Sequence, residues 1–216
     1  MAVSAQDVKV LRQRTSAGML DCKKALEENS GDFDKAVDWL RQKGLSKAAK
    51  KSGRIAAEGS VMSYIHGTGS IGVLIEVNSE TDFVARTDDF KTFVTDVAMH
   101  IAATNPLAVS ADDIPAAAIE KERAVLIAKN REEGKKEEMI DKIVGGQMKK
   151  WLSENCLLEQ KYVKNPDVTV NGHLQNTVVK IGENLVIRRF VRFELGEGIE
   201  KKQENFAEEV AAAAKG

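Results

Sequence analysis

The sequence predicts an α+β fold in which a block of helices precedes an antiparallel sheet whose strands come from distant parts of the chain. Apolar residues recur at helical spacing in residues 1–43, and alternation of apolar and polar residues marks strands at 71–77 and 185–195. Charged residues make up 30% of the 216 residues and aromatic residues only 5%, a composition typical of a helix-rich chain with much solvated surface.

Residues 1–43 are predicted to form three short helices that pack on one another, because helices of this length are marginal in isolation. Their apolar positions are Val8 and Leu11 in the first helix, Met19, Cys22, Ala25 and Leu26 in the second, and Phe33, Ala36, Val37 and Leu40 in the third. Ser4 with Asp7 is expected to cap the first helix, and Asp32 the third. Gly44 is expected to end the third helix.

The stretch 45–59 is basic and nearly free of large apolar side chains, which favours a linker or an exposed helix with a domain boundary near Gly53. We therefore divide the chain into an N-terminal domain at 1–54 and a core at 55–216. Six basic residues occur between positions 41 and 54 with no acidic residue among them: Arg41, Lys43, Lys47, Lys50, Lys51 and Arg54. They form either a solvated connector or a patch that faces an acidic partner or phosphates.

The core is predicted to begin with a β-hairpin whose strands lie at 61–65 and 71–77. An irregular segment at 78–86 follows. Apolar residues at helical spacing over 90–101 then predict an amphipathic helix that Asn105-Pro106 ends. A helical hairpin is predicted at about 113–152.

The C-terminal part contains a third predicted strand, at 185–195. Its alternating apolar residues are Leu185, Ile187, Val191, Phe193 and Leu195, and its arginines predict a basic outer face and an edge position. A terminal helix is expected to be anchored by Ile199, Phe206 and Val210. The region 153–182 has no clear period, and loops are expected around Asn165-Pro166 and Asn171-Gly172.

Composition argues against several classes of protein. The 32 basic and 33 acidic residues give a net charge of −1, which argues against a generic nucleic-acid binder. Cys22 and Cys156 match no metal-ligand spacing, so neither a zinc site nor a disulfide framework is expected, and a reducing compartment fits. No apolar run has the length of a membrane span and no signal peptide is recognisable, so we expect a cytoplasmic protein.

One motif resembles a dinucleotide-binding loop. Residues 67–72 read G-x-G-x-x-G, but a strand follows them, whereas a pyrophosphate site requires the N-terminus of a helix. The glycines are therefore interpreted as a hairpin turn. His66 and His173 are interpreted as surface residues, and His100 lies at the edge of the 90–101 apolar stripe, where packing alone would explain it. We expect no catalytic acid–base pair and no cofactor or metal site.

The segment 78–86 is the unusual part of the sequence. It carries Phe83 and Val84, which fit the period of neither the preceding strand nor the following helix. Phe83 either serves as a binding anchor on a loop or packs into the protein's own core. Asp82 beside it could meet a cation or an N–H donor.

Five stretches carry a family resemblance. LRQRTSAGMLDCKKALEE at 11–28 and ETDFVAR at 80–86 resemble two signatures of the translation elongation factor Ts family, in the family's order. AMHIAAT at 98–104, GQMKKWL at 146–152 and RFELGEGIEK at 192–201 extend the match over most of the chain. Ser16 departs from the family, which usually has glycine there.

The resemblance implies a guanine-nucleotide exchange factor for elongation factor Tu. Such a protein acts non-covalently and is not an enzyme. It implies a three-helix, ubiquitin-associated-like N-terminal domain and an α+β core. The chain is similar to the short members with a single core, so we expect a homodimer, no membrane contact and no direct binding of nucleic acid.

The resemblance also implies the residues that contact Tu. Thr81, Asp82, Phe83 and Val84 match the family's loop that intrudes near the Mg²⁺ site of Tu. Met19, Leu20, Lys23 and His100 match other Tu contacts. Because Met19 also belongs to the apolar stripe of the second helix, we expect a split helix, with Cys22 and Ala25 inward and Leu20 and Lys23 outward.

Two other classes of function remain as alternatives. One is a nucleic-acid module that uses the basic residues between 41 and 54 and the arginines at 188–192, which predicts binding that falls steeply with salt. The other is a dinucleotide-dependent enzyme built on residues 67–72, which predicts a nicotinamide or flavin signal.

Overall fold

The computed structural model describes residues 3–15 and 17–199. Ser16 and the predicted terminal helix with Phe206 and Val210 lie outside the described residues. The described helices are α1 (Ala5–Thr15), α2 (Met19–Glu28), α3 (Phe33–Lys51), α4 (Asp82–Ala85), α5 (Asp88–Thr104), α6 (Ala116–Glu132), α7 (Glu137–Asn155) and α8 (Val170–Ile181). The described strands are β1 (Glu58–His66), β2 (Ile71–Ser79) and β3 (Leu185–Glu194). This mixture of helices with one antiparallel sheet confirms the α+β class.

Helices α1 to α3 pack around their own apolar cluster. The buried members all belong to the predicted apolar positions: Val8, Leu11, Cys22, Ala25, Leu26, Ala36 and Leu40. Phe33 and Val37 are partly buried, but Met19 is exposed, so its place in the buried stripe was predicted wrongly. The predicted caps also form, since the Asp7 amide donates to Ser4 Oγ at 3.1 Å and Asp32 accepts from two amides at the start of α3. Side-chain oxygens at these positions satisfy amides that have no partner within the helix.

Helix α3 does not end at Gly44, so that prediction is wrong. The helix runs on to Lys51, and Gly44 is buried where α3 packs against α8. A Cβ at Gly44 would lie 3.4 Å from Val179 Cγ2, which is ordinary van der Waals contact, so the side chain of Val179 packs directly over this position. Ala48, one turn later, is buried in the main core. A tertiary contact therefore outweighs the low helix propensity of glycine, which is about 1 kcal/mol.

The sheet has the order β1-β2-β3, with both neighbours antiparallel to β2. One face packs against α5, and its residues from β2, Val73, Ile75 and Val77, are fully enclosed. β3 is an edge strand, as its arginines predict.

A bulge in β3 changes which of its residues face the core. The register shifts between Glu76 and Val77, so that Arg188 has no partner on β2. An extra residue inverts the alternation of the strand beyond it. Ile187 therefore faces the core while Val191 and Phe193 are exposed, and the predicted single apolar face with a basic outer face is wrong.

Helix α8 occupies part of the region that had no clear sequence pattern. Thr169 caps it by accepting from the Gly172 amide at 3.1 Å, so the Asn171-Gly172 pair forms the first turn of a helix and the predicted loop there is wrong. Helices α6 and α7 are joined by a turn at Gly134 and contact each other, with the Asn130 side-chain amide donating to Gln147 Oε1 at 2.7 Å. Among the described residues, no helix combines the length and apolar character needed to cross a membrane.

Candidate protein-interaction site

The segment Thr81–Val84, called here the wedge segment, follows β2 directly and forms the start of a one-turn helix. Phe83 is 74% exposed, while its neighbour Val84 is 9% exposed and belongs to the main core. The alternative in which Phe83 packs into the protein's own core is therefore wrong for this structure. A large aromatic side chain held in solvent by a buried neighbour is typical of a binding anchor.

The wedge segment is tied to the helix that follows it. Arg86 donates to the Asp82 carboxylate at 2.6 Å, one turn apart in α4. Thr87 caps α5 and also donates to the Val84 carbonyl at 2.7 Å. These contacts convert the predicted irregular segment into an ordered turn, and they leave the ring of Phe83 as its exposed part.

Beneath the wedge segment lies a polar cluster from the end of β2 and the α8–β3 turn. The Thr81 amide donates to Glu183 Oε2 at 3.0 Å, and the Thr81 hydroxyl donates to Glu183 Oε1 at 2.8 Å. The Ser79 hydroxyl donates to the Thr81 carbonyl at 2.8 Å. The Asn184 amide donates to Glu80 Oε1 at 2.6 Å. Nothing in the periodicity of the sequence indicates these contacts.

Helix α2 presents a second exposed apolar surface. Leu20 is 84% exposed, and Met19 and Lys23 are also exposed, whereas Cys22 and Ala25 are fully buried. The predicted orientation of the helix, with Cys22 and Ala25 inward and Leu20 and Lys23 outward, is confirmed. An open groove of about 880 Å³ lies between α1–α3 and the core helices α5 and α8, and Met19 is one of the residues that line it.

His100 lies inside the protein rather than on its surface. Its side chain is fully buried; Nε2 lies 2.9 Å from Gln160 Oε1, and Nδ1 accepts from the Val163 amide at 3.3 Å. This pattern fits the neutral tautomer with the proton on Nε2. Burial lowers the pKa of His100. Packing, one of the two interpretations of this residue, is what the structure shows, and direct contact with a partner would require its neighbours to move.

His173 is not the loop residue that its sequence context predicts. It lies in α8, with its ring between those of Phe93 and Tyr162, at centroid distances of 5.2 and 4.4 Å. Burial lowers its pKa. The sequence offers no signal for this cluster, since Tyr162 lies in the stretch without a clear period.

The basic residues that suggested nucleic acid are largely occupied by acidic neighbours. Arg188 and Arg189 both donate to Glu76, at 2.7 and 2.6 Å, and hold its pKa below the usual value. Lys43 and Lys47 both donate to Asp21, whose pKa is lowered in the same way. Ion pairs of this kind compete with phosphate, so the arrangement does not favour a phosphate-binding surface.

The G-x-G-x-x-G stretch at 67–72 forms the tight connection between β1 and β2. Gly67 and Gly69 have positive φ, at 57° and 97°, which a hairpin turn requires. No helix N-terminus follows this loop, so it lacks the feature that binds a pyrophosphate.

A family model described as Elongation factor TS matches residues 44–197. The chain belongs to the elongation factor Ts family. Elongation factor Ts of Carboxydothermus hydrogenoformans is 59% identical over 213 residues, which are 99% of this chain and 98% of that protein. The protein of the same name from Alkaliphilus metalliredigens is 61% identical over 211 residues, and that from Geobacter sulfurreducens 56% over 214.

The wedge segment and His100 fall inside the region that matches the elongation factor Ts family model. The exposed residues of α2 precede that region, but the similarity to the Carboxydothermus hydrogenoformans protein extends over 99% of the chain. In this member of the elongation factor Ts family, Phe83 and Leu20 are thus among the most exposed large apolar residues.

Proposed function

We propose that this member of the elongation factor Ts family is a guanine-nucleotide exchange factor for elongation factor Tu. The observation that carries the proposal is the exposed ring of Phe83 on an ordered turn, within a chain that is similar to elongation factor Ts over nearly its whole length. Cytoplasmic location follows from the same proposal, because Tu is its partner.

In this mechanism the factor binds Tu–GDP and inserts Asp82 and Phe83 near the Mg²⁺ and phosphate site. Burying the Phe83 ring in the partner contributes roughly 2–3 kcal/mol, and each 1.4 kcal/mol is about a tenfold change in affinity. That free energy stabilises a state in which the nucleotide's contacts are disturbed together. The Asp82 carboxylate, partly exposed beside Arg86, adds a negative charge to the inserted turn.

Release and recharging follow from the reciprocity of coupling. If this protein weakens the binding of nucleotide to Tu, then nucleotide weakens the binding of this protein to Tu by the same ratio. GDP therefore leaves when the factor binds, and GTP displaces the factor. No bond is made or broken, so the process needs no catalytic acid, base or cofactor from this chain.

The remaining contacts are proposed on the exposed side of α2. Met19, Leu20 and Lys23 touch Tu from a three-helix, ubiquitin-associated-like domain at 1–54, while the core at 55–216, with a helical hairpin at 113–152, carries the wedge segment. The outward direction of Leu20 and Lys23 supports this assignment. His100 acts from beneath the surface in this proposal, because its side chain is buried.

We further propose a homodimer formed through the outer face of the sheet. The bulge in β3 turns its apolar residues Val191 and Phe193 to the same exposed face as Val61 and Ile65 of β1 and Leu74 of β2. An apolar patch of this kind on a soluble protein is typical of an interaction surface. A second copy of this single-core chain offers the same patch and closes it by symmetry.

The test is release of fluorescent GDP from elongation factor Tu, measured with the wild type, Phe83→Ala and a matched control, Leu107→Ala, which truncates another exposed apolar residue. We expect the wild type and the control to accelerate release and Phe83→Ala to lose most of the acceleration. Equal acceleration by all three proteins would leave the exchange function standing and remove the wedge. Absence of acceleration by the wild type would overturn the proposed function.

A further inference from the structure

Glu183 holds the wedge segment from below, although it lies 102 positions further along the chain than Thr81. Each oxygen of its carboxylate accepts one hydrogen bond, one from the Thr81 amide at 3.0 Å and one from the Thr81 hydroxyl at 2.8 Å. Hydrogen bonds to an ionised acceptor are roughly twice as strong as neutral ones. Both donors of the residue that begins the wedge segment are therefore engaged by one side chain.

A second contact makes the attachment rigid. The preceding residue, Glu80, accepts from the backbone amide of Asn184 at 2.6 Å, so two consecutive residues on each side are joined. Asn184 is buried, and its side chain donates to the Arg54 carbonyl at 2.8 Å. The α8–β3 turn is thus tied both to the wedge segment and to the residues that follow α3.

The turn itself is shaped to present Glu183. Gly182 ends α8 in the left-handed conformation, with φ of 90°, and the chain then reverses into β3. The side chain of Lys51, at the end of α3, donates to the Gly182 carbonyl. Three elements therefore meet at the point from which the Glu183 carboxylate reaches Thr81.

Thr81 occupies the N-cap position of α4, a helix of only four residues. One turn of helix has no independent stability, because nucleation is unfavourable. Its orientation depends on the anchors at its two ends, which are Val84 in the core and Thr81 on Glu183. Without the second anchor, the segment keeps Val84 in the core, the bond from Arg86 to Asp82 and the bond from Ser79 to the Thr81 carbonyl, and Phe83 would sample a wider range of orientations.

We infer that Glu183 is a positioning residue for nucleotide exchange, which acts through Thr81 to hold Asp82 and Phe83 in the orientation that enters the partner. The inference rests on the proposed function. Apparent affinity falls by the fraction of molecules in the competent conformation. Loss of the anchor should therefore raise the concentration of factor that gives half-maximal exchange, while the rate at saturation stays the same.

The experiment titrates Tu carrying fluorescent GDP with wild type, Glu183→Ala, Glu183→Gln and Thr81→Val, and follows amide hydrogen exchange of Thr81 in the free proteins. For Glu183→Ala we expect a rise of about tenfold in the half-saturating concentration, an unchanged maximal rate and faster exchange of the Thr81 amide. Glu183→Gln should recover part of the affinity, because its amide both accepts from the backbone and donates to the hydroxyl.

The matched control is Asp89→Ala, which removes another contact to α8, the 2.6 Å bond from Lys180, without touching the wedge segment. It should titrate like the wild type. Melting temperatures equal to that of the wild type identify the variants that fold normally. Thr81→Val tests the same anchor from its other end, and we expect it to weaken binding less than Glu183→Ala.

Three results would overturn the inference, each for a different reason. Unchanged exchange of the Thr81 amide in Glu183→Ala would show that the anchor does not hold the segment. Faster amide exchange with an unchanged titration would show that the orientation of the segment is irrelevant to exchange. Failure of the wild type to accelerate GDP release from Tu would remove the proposed function and the positioning role with it. The exchange rate of the Thr81 amide would still show whether Glu183 holds the segment.

Discussion

The ring of His173 lies parallel to the ring of Tyr162, with centroids 4.4 Å apart and planes inclined by 6°. The Tyr162 hydroxyl donates to Asp96 at 3.0 Å, and Lys164 donates to the other oxygen of Asp96 at 2.6 Å. Nε2 of His173 is buried and has no hydrogen-bond partner among the described residues. Desolvation lowers the pKa of both His173 and His100, so burial favours the neutral form of both imidazoles.

These two histidines predict that stability falls as the pH drops. The unfolded chain takes up protons near the ordinary histidine pKa of 6.5, whereas the folded chain takes them up only at lower pH. Their contribution is thus fully present above pH 6.5 and is lost as the pH falls toward the folded pKa. The free energy of unfolding in urea should decrease between pH 7.5 and 5.5, by up to about 1.4 kcal/mol per pH unit for each histidine.

A variant separates this effect from the titration of other groups. His173→Phe keeps an aromatic ring against Tyr162 and removes one titrating group, so the pH dependence of its unfolding free energy should be shallower than that of the wild type. Identical slopes for the two proteins would contradict the assignment to His173.

Gly59 is predicted to be essential to the hairpin. Its φ is 128°, and a Cβ there would lie 2.2 Å from the Val77 carbonyl oxygen on the neighbouring strand. Because backbone atoms cannot give way as a side chain does, Gly59→Ala should destabilise the protein by more than about 2 kcal/mol in urea denaturation. Gly67→Ala is the control, since it also has positive φ but meets no atom within 4 Å. It should lose only about 1–2 kcal/mol.

Gly145 and Gly146 offer the opposite prediction. They lie in the interior of α7, and a Cβ at either position would meet nothing within 4 Å. Replacing each with alanine should therefore stabilise the protein by about 0.5–1 kcal/mol. Gly44→Ala serves as comparison at a buried position, because its Cβ would lie in ordinary van der Waals contact with Val179 and the gain in helix propensity should persist there. A loss of stability at Gly145 or Gly146 would show that these positions have a structural role that their surroundings do not indicate.

Local patterns were sufficient to predict much of this fold. The caps at Ser4 and Asp32, the apolar stripes of α1, α2, α3 and α5 and the hairpin of β1 and β2 all follow from residues close in sequence. The predictions that were wrong concern features that depend on contacts between residues distant in sequence. Helix α3 continues through Gly44 because α8 lies against it. The bulge at Arg188 reverses which side chains of β3 face the core in the part of the strand that follows it.

The residues of the candidate site also divide into those that local sequence patterns indicate and those that depend on distant contacts. Phe83 was recognisable because an apolar residue outside both neighbouring periods needs an explanation, and the structure shows it exposed. Glu183 was not recognisable, because its role depends on a hydrogen bond to a residue 102 positions away. The burial of His100 could not be separated from a surface role by spacing alone, since the edge of an apolar stripe is compatible with both.

The proposed homodimer can be tested at Leu74, at the centre of the exposed sheet face. Leu74 lies on the middle strand, opposite Ser63 of β1 and Val191 of β3, so a symmetric contact through this face would bury it. In the isolated chain it is exposed, and Leu74→Lys should therefore leave the monomer folded. A lysine buried in the dimer would have to lose its hydration without a partner, which is strongly unfavourable.

We expect light scattering at micromolar concentration to give twice the mass of one chain for the wild type and the mass of one chain for Leu74→Lys. Val125→Lys, at another exposed apolar position on α6, is the control and should remain dimeric, because α6 is outside the sheet face. A monomeric wild type would contradict the homodimer directly. A dimeric Leu74→Lys would mean that the chains associate through a different surface, and the exposed apolar face of the sheet would then need another occupant.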